Sequence, residues 1–338
     1  MQQRILVLFF LLITLQTTIF SQNKFSEINF QQVDDFARSV KYNDDLNDLT
    51  RKLTAPYNDS INKLQAIFIW ITDNIEYDYK LFNSKDDKWR RFECTGTKAV
   101  CSTARIEWEN EWMQHVLNKK KAVCSGYAML FKKMCNTIGI ENEMVAGYVK
   151  QNPFQIGLIL NVSHDWNIVK LQGKTFVCDV TWAAGYCKAD EESGKLLDFE
   201  KRFQNFYWLT PYHKFVRNHF PKDSKWITEG NASKELFFNA PFFYPGSVTQ
   251  NIESVSPESG VITGKIGDTV HFTFSSKSQI NKIQVNTNNY KNPDLPFKTQ
   301  SSQLNYTYQF DYIVKENSLY YIELLFDGKK AIRYKVKY

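Results

Sequence analysis

The sequence contains little glycine and proline, 14 and 9 residues of 338. Together with 43% hydrophobic and 15% aromatic residues, this scarcity excludes a collagen-like, low-complexity or disordered chain. Beyond the N-terminus, no stretch is long and apolar enough to cross a bilayer. A chain of this length and apolar content is expected to form two globular domains.

The sequence also lacks a strong charge imbalance and the spacings of metal sites. Lysine and arginine number 42 against 36 acidic residues, a net charge of +6. The densest basic run, Lys119 to Lys121, has no interleaved aromatic residues, so nucleic-acid binding is not expected. No C-x-x-C or H-x₃-H spacing occurs. We therefore expect neither a metal nor another cofactor.

Residues 1–21 have the layout of a secretory signal peptide. A positive charge at Arg4 precedes an apolar run from Ile5 to Leu15, and Ser21 is a suitable last residue before cleavage. An uncleaved N-terminal anchor is the alternative. We expect a secreted protein, or one of the periplasm or cell envelope, where disulfides are permitted.

Apolar periodicity predicts two helices in the first part of the chain. Asp59 or Ser60 can cap the first, and the second runs from residue 124 to 138, where Gly139 ends it in a left-handed conformation. Residues 81–112 show weak periodicity and are expected to be irregular. Strand-like segments follow at 143–149, 158–162, 166–171 and 175–182.

A helix ahead of antiparallel strands indicates an α+β domain, which we place at residues 22–235. Aromatic residues and prolines are dense from residue 203 to 245. From residue 251 to 338 the pattern changes to short alternating runs between turn residues, which predicts a small, Ig-like β-sandwich. Residues 236–250 are the expected linker.

Cys124 lies at the start of the second predicted helix, where the helix dipole and free backbone N–H groups favour a thiolate. Gly126 leaves room for a close approach to it. The alternative is that Cys124 is a small buried hydrophobic residue, since free cysteine is often buried.

A thiolate nucleophile needs a base and a group that orients the base. His164 begins a predicted strand, and Asp179 lies in the next strand after a tight turn at Gln172-Gly173, so the two side chains are within reach of each other. A purely structural His–Asp pair is the alternative. The other histidines fit structural roles better: His115, His213, His219 and His271.

Several segments together resemble the transglutaminase-like superfamily, in the branch of the kyphoscoliosis peptidase, the cytokinesis-type proteins and their secreted bacterial relatives. They are Ala66-Ile67-Phe68-Ile69-Trp70-Ile71, Ile75-Glu76-Tyr77-Asp78, Val123-Cys124-Ser125-Gly126-Tyr127-Ala128, His164-Asp165-Trp166-Asn167 and Asp179-Val180-Thr181-Trp182. Two later segments resemble the tail of that domain, Tyr207-Trp208-Leu209-Thr210-Pro211 and His219-Phe220-Pro221-Lys222-Asp223. The resemblance covers about residues 45–226. It implies a papain-like core in which a helix carries the cysteine and packs on an antiparallel sheet that carries the histidine and the aspartate.

By this resemblance, Cys124 is the nucleophile, His164 the general base and acid, and Asp179 the residue that orients it. The expected substrate cleft is lined by Gly126, Tyr127, Trp166 and Trp182. No glutamine can be assigned to an oxyanion hole, so backbone N–H groups near Cys124 are the candidates.

Two functions are compatible with these residues. The first is an enzyme that cleaves amide bonds of protein or peptide substrates through a thioester, with hydrolysis favoured over transfer to an amine. The second is a catalytically silent binding or scaffold protein, whose C-terminal domain recognises a protein or glycan at the cell envelope.

For either function, the six cysteines are expected to divide into free and disulfide-bonded residues. If Cys124 stays free, we expect Cys135 in the core of the same helix. Two local disulfides are then expected, Cys94 with Cys101 and Cys178 with Cys187, if their Cα atoms lie within about 7 Å.

Overall fold

The computed structural model describes residues 28–84, 89, 91–227, 232–288, 291–316 and 319–338. The signal peptide expected at residues 1–21 lies outside these ranges. Among the described residues, no helix has the length and hydropathy needed to cross a membrane.

Ten helices lie in the described ranges, most of them before residue 140. They are α1 Gln31–Ser39, α2 Leu46–Thr54, α3 Ser60–Asn74, α4 Tyr79–Ser84, α5 Lys98–Lys119, α6 Cys124–Thr137, α7 Val180–Ala184, α8 Tyr212–Phe215, α9 Lys234–Asn239 and α10 Pro245–Thr249.

The strands of the first half are short and form three small sheets. They are β1 Glu76–Tyr77, β2 Lys121–Ala122, β3 Asn142–Val149, β4 His164–Leu171, β5 Lys174–Cys178, β6 Gly185–Ala189, β7 Leu196–Lys201 and β8 His219–Pro221. The central sheet has the antiparallel order β5-β4-β3-β8. Strands β1 and β2 pair with each other, and β6 pairs with β7.

Alternation along β4 divides the central sheet into two apolar faces. One face packs on α6, where Val169 and Leu171 join the main core with Leu130 and Phe131. The opposite face forms a second, smaller core around Trp166. The sheet is therefore covered on both sides, and helix α6 is held flat against it. This is the α+β fold with a papain-like core that the sequence predicted.

Both predicted helices and the hairpin are confirmed. Helix α3 begins at Ser60, and Asp59 caps it by accepting a hydrogen bond from Asn62 N–H at 2.8 Å. Helix α6 starts at Cys124 and is followed by Gly139 with φ of +73°. Gln172 and Gly173 form a two-residue turn with φ of +51° and +74°, as a type I′ hairpin requires.

Three predictions of secondary structure were wrong. Part of residues 81–112 lies in α5, which shows no apolar stripe because its first half is exposed and only its last turns are buried. Residues 158–162 form no strand, and Ile159 is 90% exposed. Strand β5 stops at Cys178, because Asp179 caps the short helix α7 instead of extending the strand.

The C-terminal part forms two facing sheets over an aromatic core. Its strands are β9 Phe242–Phe243, β10 Ile252–Ser256, β11 Val261–Thr263, β12 Thr269–Ser276, β13 Ile283–Asn286, β14 Lys298–Ser301, β15 Tyr306–Ile313, β16 Tyr321–Phe326 and β17 Lys329–Lys337. The first sheet has the order β10-β12-β15-β14 and the second β11-β17-β16-β13, with β9 also paired to β17. Phe272, Phe274 and Tyr308 pack between the sheets. Residues 236–250, the expected linker, thus contribute a strand to this sandwich.

Buried polar contacts join the two parts of the chain. Lys150 is 1% exposed, and its Nζ donates hydrogen bonds to the carbonyl oxygens of Phe237 and Ala240 at 2.8 and 2.7 Å. The Arg217 guanidinium donates to the carbonyl oxygens of Ile252 and Glu253, each at 2.9 Å. The sandwich is therefore fixed to the domain that carries the central sheet.

Candidate active site

Cys124 is the first residue of α6 and is half-buried. The hydrogen bonds of the helix begin at Gly126 and Tyr127, whose N–H groups both donate to the carbonyl of Val123. The N–H groups of Cys124 and Ser125 precede them and have no acceptor within the helix. These groups and the helix dipole place positive potential beside the sulfur.

His164 and Asp179 meet as the hairpin register requires. Asn167 pairs with Cys178, so the next step places Asp179 opposite Trp166, on the face that also carries His164. His164 Nε2 lies 2.7 Å from Asp179 Oδ2, and the Cys124 side chain is near enough to the imidazole to contribute to its raised pKa. The three residues proposed from sequence therefore lie together, in the order sulfur, imidazole, carboxylate.

Asp179 is held by two further groups. Its Oδ1 accepts a hydrogen bond from Trp182 N–H at 2.9 Å, because Asp179 is the N-cap of α7. Its Oδ2 also lies 3.0 Å from His219 Nε2. The carboxylate is fully buried, and every interaction fixes its orientation toward His164.

His219, for which the sequence predicts a structural role, is the residue that contacts Asp179 from the other side. It lies on β8, at the edge of the central sheet, and its ring stacks on Phe215 with centroids 4.1 Å apart. Its Nδ1 lies 2.8 Å from Asn218 Oδ1, and because an amide can be placed in either of two flipped orientations, the Asn218 amide can donate to this nitrogen of the neutral ring. The ring therefore fills the second position on the Asp179 carboxylate.

Burial and neighbouring charges shift three pKa values, and those of His164 and Asp179 shift in the directions that an ion pair requires. Burial disfavours the charged form of His164, but Asp179 and Cys124 outweigh it and raise its pKa to about 10. Burial likewise opposes ionisation of Asp179, but His164 and then His219 hold the pKa of the carboxyl well below its usual range. Burial lowers the pKa of His219 to about 4 against the pull of Asp179. At neutral pH the set is an imidazolium at His164, a carboxylate at Asp179 and a neutral ring at His219.

Asn167 ties the cysteine helix to the histidine strand. It is fully buried on β4, and its Nδ2 donates to the carbonyl of Ala128 on α6 and to Asn142 Oδ1, both at 2.9 Å. This link lies one helical turn from Cys124 and three residues from His164. It fixes the separation between the two elements that carry the sulfur and the ring.

Three of the four residues expected to line the cleft do not do so, and two of them are Gly126 and Tyr127 on α6. Tyr127 is fully buried and donates from its hydroxyl to the carbonyl of Ile75, because it lies on the core side of α6. Gly126 faces Ala122 on β2 and Val116 on α5, so its missing side chain allows helix packing and not access to a ligand.

The two tryptophans lie around the histidines. Trp166 is buried beneath the site, with its ring 5.3 Å from that of His219. Trp182 is half-buried, and its ring contacts both histidines, with centroid distances of 5.5 Å to His164 and 4.5 Å to His219. Trp182 is therefore the expected cleft residue that lies at the site and keeps partial exposure.

The structure contains one of the two disulfides that the sequence predicted. Cys94 and Cys101 form the predicted disulfide, with Cα atoms 5.6 Å apart. The predicted bond between Cys178 and Cys187 was wrong, and both are free. Cys178 points into the core at the end of β5, whereas Cys187 lies on β6 beyond the helix α7. Cys124 and Cys135 are free, as expected.

The same histidines and aspartate also form the one cluster with metal-ligand chemistry among the described residues: His164, Asp179 and His219. The two ring nitrogens lie 2.7 and 3.0 Å from one carboxylate oxygen. These are hydrogen-bond distances, whereas ligands of a tetrahedral zinc ion lie about 3.3 Å apart. The geometry thus fits direct proton sharing better than a metal.

A helix that presents a cysteine to a histidine on an antiparallel sheet, with an aspartate directly after the next strand, is the arrangement of the papain-like class of cysteine proteins. Residues 47–179 match the transglutaminase-like superfamily. Kyphoscoliosis peptidases of Mus musculus and Homo sapiens are each 28% identical over 69% of this chain. The part of the chain that carries Cys124, His164 and Asp179 is therefore similar to the transglutaminase-like superfamily and to the kyphoscoliosis peptidases.

The extent of these similarities is limited. The chain spans about a third of the length of the two kyphoscoliosis peptidases, of which the alignments cover 32%. A solved structure described as a TGase is similar over 53% of this chain and 38% of its own, at 14% identity and a TM-score of 0.27.

Proposed function

We propose that this chain is a cysteine hydrolase that cleaves amide bonds of protein or peptide substrates through a thioester at Cys124. The observation that carries the proposal is the grouping of Cys124, His164 and Asp179, in which Cys124 helps to raise the pKa of His164 and His164 Nε2 lies 2.7 Å from Asp179 Oδ2. An imidazolium beside the sulfur stabilises the thiolate, which is the nucleophilic form.

In the first step, the Cys124 thiolate attacks the carbonyl carbon of the amide, and the electron pair moves to the carbonyl oxygen. The N–H groups of Cys124 and Ser125 are the donors available to this oxyanion. When the oxygen pair returns, the C–N bond breaks, and His164 gives its proton to the leaving amine. The product is a thioester at Cys124 and a neutral His164.

In the second step, water attacks the thioester and His164 takes its proton. The C–S bond then breaks, which releases a carboxylic acid and restores the thiolate and the imidazolium. Asp179 stabilises the charged ring in both steps and keeps its orientation, and His219 holds Asp179. An amine in place of water would give a new amide by the same transfers, and we propose water as the main acceptor.

We further propose that the chain acts outside the cytoplasm, as a secreted, periplasmic or cell-envelope protein. The leader-like residues 1–21 and the disulfide between Cys94 and Cys101 support this compartment. The C-terminal sandwich is proposed to hold the catalytic part near a protein or glycan partner at the envelope.

Selective alkylation tests the proposed nucleophile. With iodoacetamide at pH 7, we expect Cys124 to react at least tenfold faster than Cys187, the other half-buried free thiol. The His164→Ala variant should lower the Cys124 rate about tenfold or more, because the imidazolium no longer stabilises the thiolate. Peptide mapping by mass spectrometry gives the rate at each cysteine.

Cys135 should have the lowest alkylation rate, because it is fully buried and burial raises the pKa of its thiol. Equal reactivity of Cys124 and Cys135, or a His164→Ala rate equal to the wild type, would contradict the proposal. The chain would then be better described as a catalytically silent binding protein with the same fold.

A further inference from the structure

Asp165 lies beside the candidate nucleophile, and the reaction described above does not use it. On β4 its side chain alternates with those of His164 and Trp166, which places it on the side of the sheet that faces α6. There its Oδ2 lies 4.0 Å from Cys124 Sγ. The carboxylate is half-buried.

A carboxylate at this position is unfavourable for the thiolate, because two negative charges repel at this distance. Among the described residues, Asp165 forms no ion pair with a lysine or arginine, and its side-chain contact is the one with the Cys124 sulfur. Burial raises the pKa of Asp165, against the effect of nearby His164. The nearby cation is the His164 ring, which Asp179 already holds, so the Asp165 carboxylate has no cation of its own in the described ranges.

A cation on the substrate would be a partner for this carboxylate. A reacting carbonyl carbon must approach the sulfur to about 3–3.5 Å. Asp165 Oδ2 lies at a similar distance from the Cys124 sulfur, 4.0 Å. Substrate groups next to the reacting carbon are therefore within reach of the Asp165 carboxylate. The arriving cation would also neutralise the carboxylate and remove its repulsion on the thiolate.

We propose that Asp165 is a specificity-determining residue, which binds a cationic nitrogen group of the substrate next to the amide bond that Cys124 attacks. The inference rests on the proposed reaction at Cys124 and adds the class of substrate. A lysine or arginine side chain, or a terminal ammonium group, has the required chemistry.

Charged thiol reagents test the assignment without a substrate. Methanethiosulfonates transfer their thioalkyl group to a thiolate and release methanesulfinate, and the ethylammonium and ethylsulfonate forms differ in the charge of the transferred group. In a full chain with Cys187→Ser, we expect Cys124 to react faster with the cationic form. Asp165→Asn should lower the ratio of the cationic to the anionic rate at least tenfold.

The ratio is independent of how much thiolate each variant contains, because both reagents attack the same sulfur. Glu143→Gln is the matched control: it removes one negative charge from β3 in the same sheet and should change the ratio less than twofold. An Asp165→Asn ratio within twofold of the wild type overturns the assignment, even if the variant folds and reacts normally.

Denatured casein distinguishes this inference from the proposed hydrolysis. We expect cleavage sites with lysine or arginine beside the cut bond to be enriched in the wild type, and Asp165→Asn to lose the enrichment while it still cleaves. Cleavage without enrichment in the wild type contradicts the Asp165 assignment alone. Intact casein together with a tenfold change in the reagent ratio contradicts the hydrolysis and supports the cation site.

Discussion

Asp179 accepts hydrogen bonds from two histidines on one oxygen and caps a helix with the other. The sequence indicated the first histidine, because the two-residue turn fixes the pairing of β4 with β5. It did not indicate His219, which follows 40 residues later in a segment of aromatic residues and prolines without periodicity. Only the pairing of β8 with β3 brings that ring to the carboxylate.

The cleft residues show a similar limit at the scale of one helical turn. Gly126 and Tyr127 are neighbours of Cys124 in the sequence, yet a helix turns about 100° per residue and directs them away from the sulfur. Adjacency along the chain therefore predicted proximity where the helix geometry excludes it. The sequence motifs did not indicate a role for Asp165, which follows His164 on β4 and is brought to Cys124 by the alternation of side chains along the strand.

Replacement of His219 by phenylalanine should change the pH dependence of stability. The buried ring stays neutral in the folded state down to a pKa of about 4, whereas the unfolded chain binds a proton near pH 6.5. Between these values the unfolded state binds more protons, so the free energy of unfolding falls with decreasing pH, by about 1.4 kcal/mol per unit from this residue. In His219→Phe this contribution should disappear.

Guanidinium unfolding at pH 4.5 and 6.5 measures that slope. At pH 6.5 the variant should be less stable than the wild type by about 1.5–3 kcal/mol, because a hydrogen bond to a charged carboxylate is lost. His271→Gln is the control for loss of a histidine, since the His271 side chain is 76% exposed and lies on the sandwich. A His219→Phe slope equal to that of the wild type would show that the ring does not stay neutral.

At the scale of elements, the sequence predicted those whose apolar residues follow one period. Helix α6 and strand β4 each present an apolar face to the same core, and capping or turn residues mark their ends. The sequence did not predict helix α5, because its first half is exposed to solvent and its apolar residues form no single stripe. Residues 158–162 are apolar but exposed, and composition alone cannot distinguish them from a strand.

The central sheet has one position where a side chain cannot be accommodated. Gly147 on β3 pairs with His164 and with Pro221, and a Cβ there would collide with the Trp166 ring and the carbonyl oxygen of Phe220. Because one of these contacts is backbone, Gly147→Ala should destabilise the fold by about 3 kcal/mol. It should also slow alkylation of Cys124, since β3 supports the strands that carry both histidines.

The matched control is Gly173→Ala in the hairpin turn, where a Cβ would meet open space but φ is +74°. This variant should lose only about 1 kcal/mol and keep the reactivity of Cys124. The stability of both variants is measured by guanidinium unfolding. Equal losses would show that the backbone conformation of Gly147, and not a lack of space for a side chain, requires glycine there.

At the scale of the whole molecule, the sequence predicted an α+β domain followed by a β-sandwich, because a change in periodicity is visible along the chain. It could not predict how the two parts join. Lys150 and Arg217 make the joint with side-chain donors to backbone carbonyls, and the Arg217 guanidinium also lies 4.6 Å from the centre of the Phe243 ring. Such contacts depend on the docked arrangement and leave no pattern in the sequence.

The central claim is that Cys124 forms a thioester, and trapping of that intermediate tests it most directly. The full chain is mixed with p-nitrophenyl acetate at pH 7, quenched with acid and mapped by mass spectrometry. We predict a burst of p-nitrophenol and one acetyl group, located on Cys124, in the wild type. The acetyl group should be absent in Cys124→Ala and formed at least tenfold more slowly in His164→Ala. Acetylation elsewhere, or an equal burst in Cys124→Ala, would contradict the account.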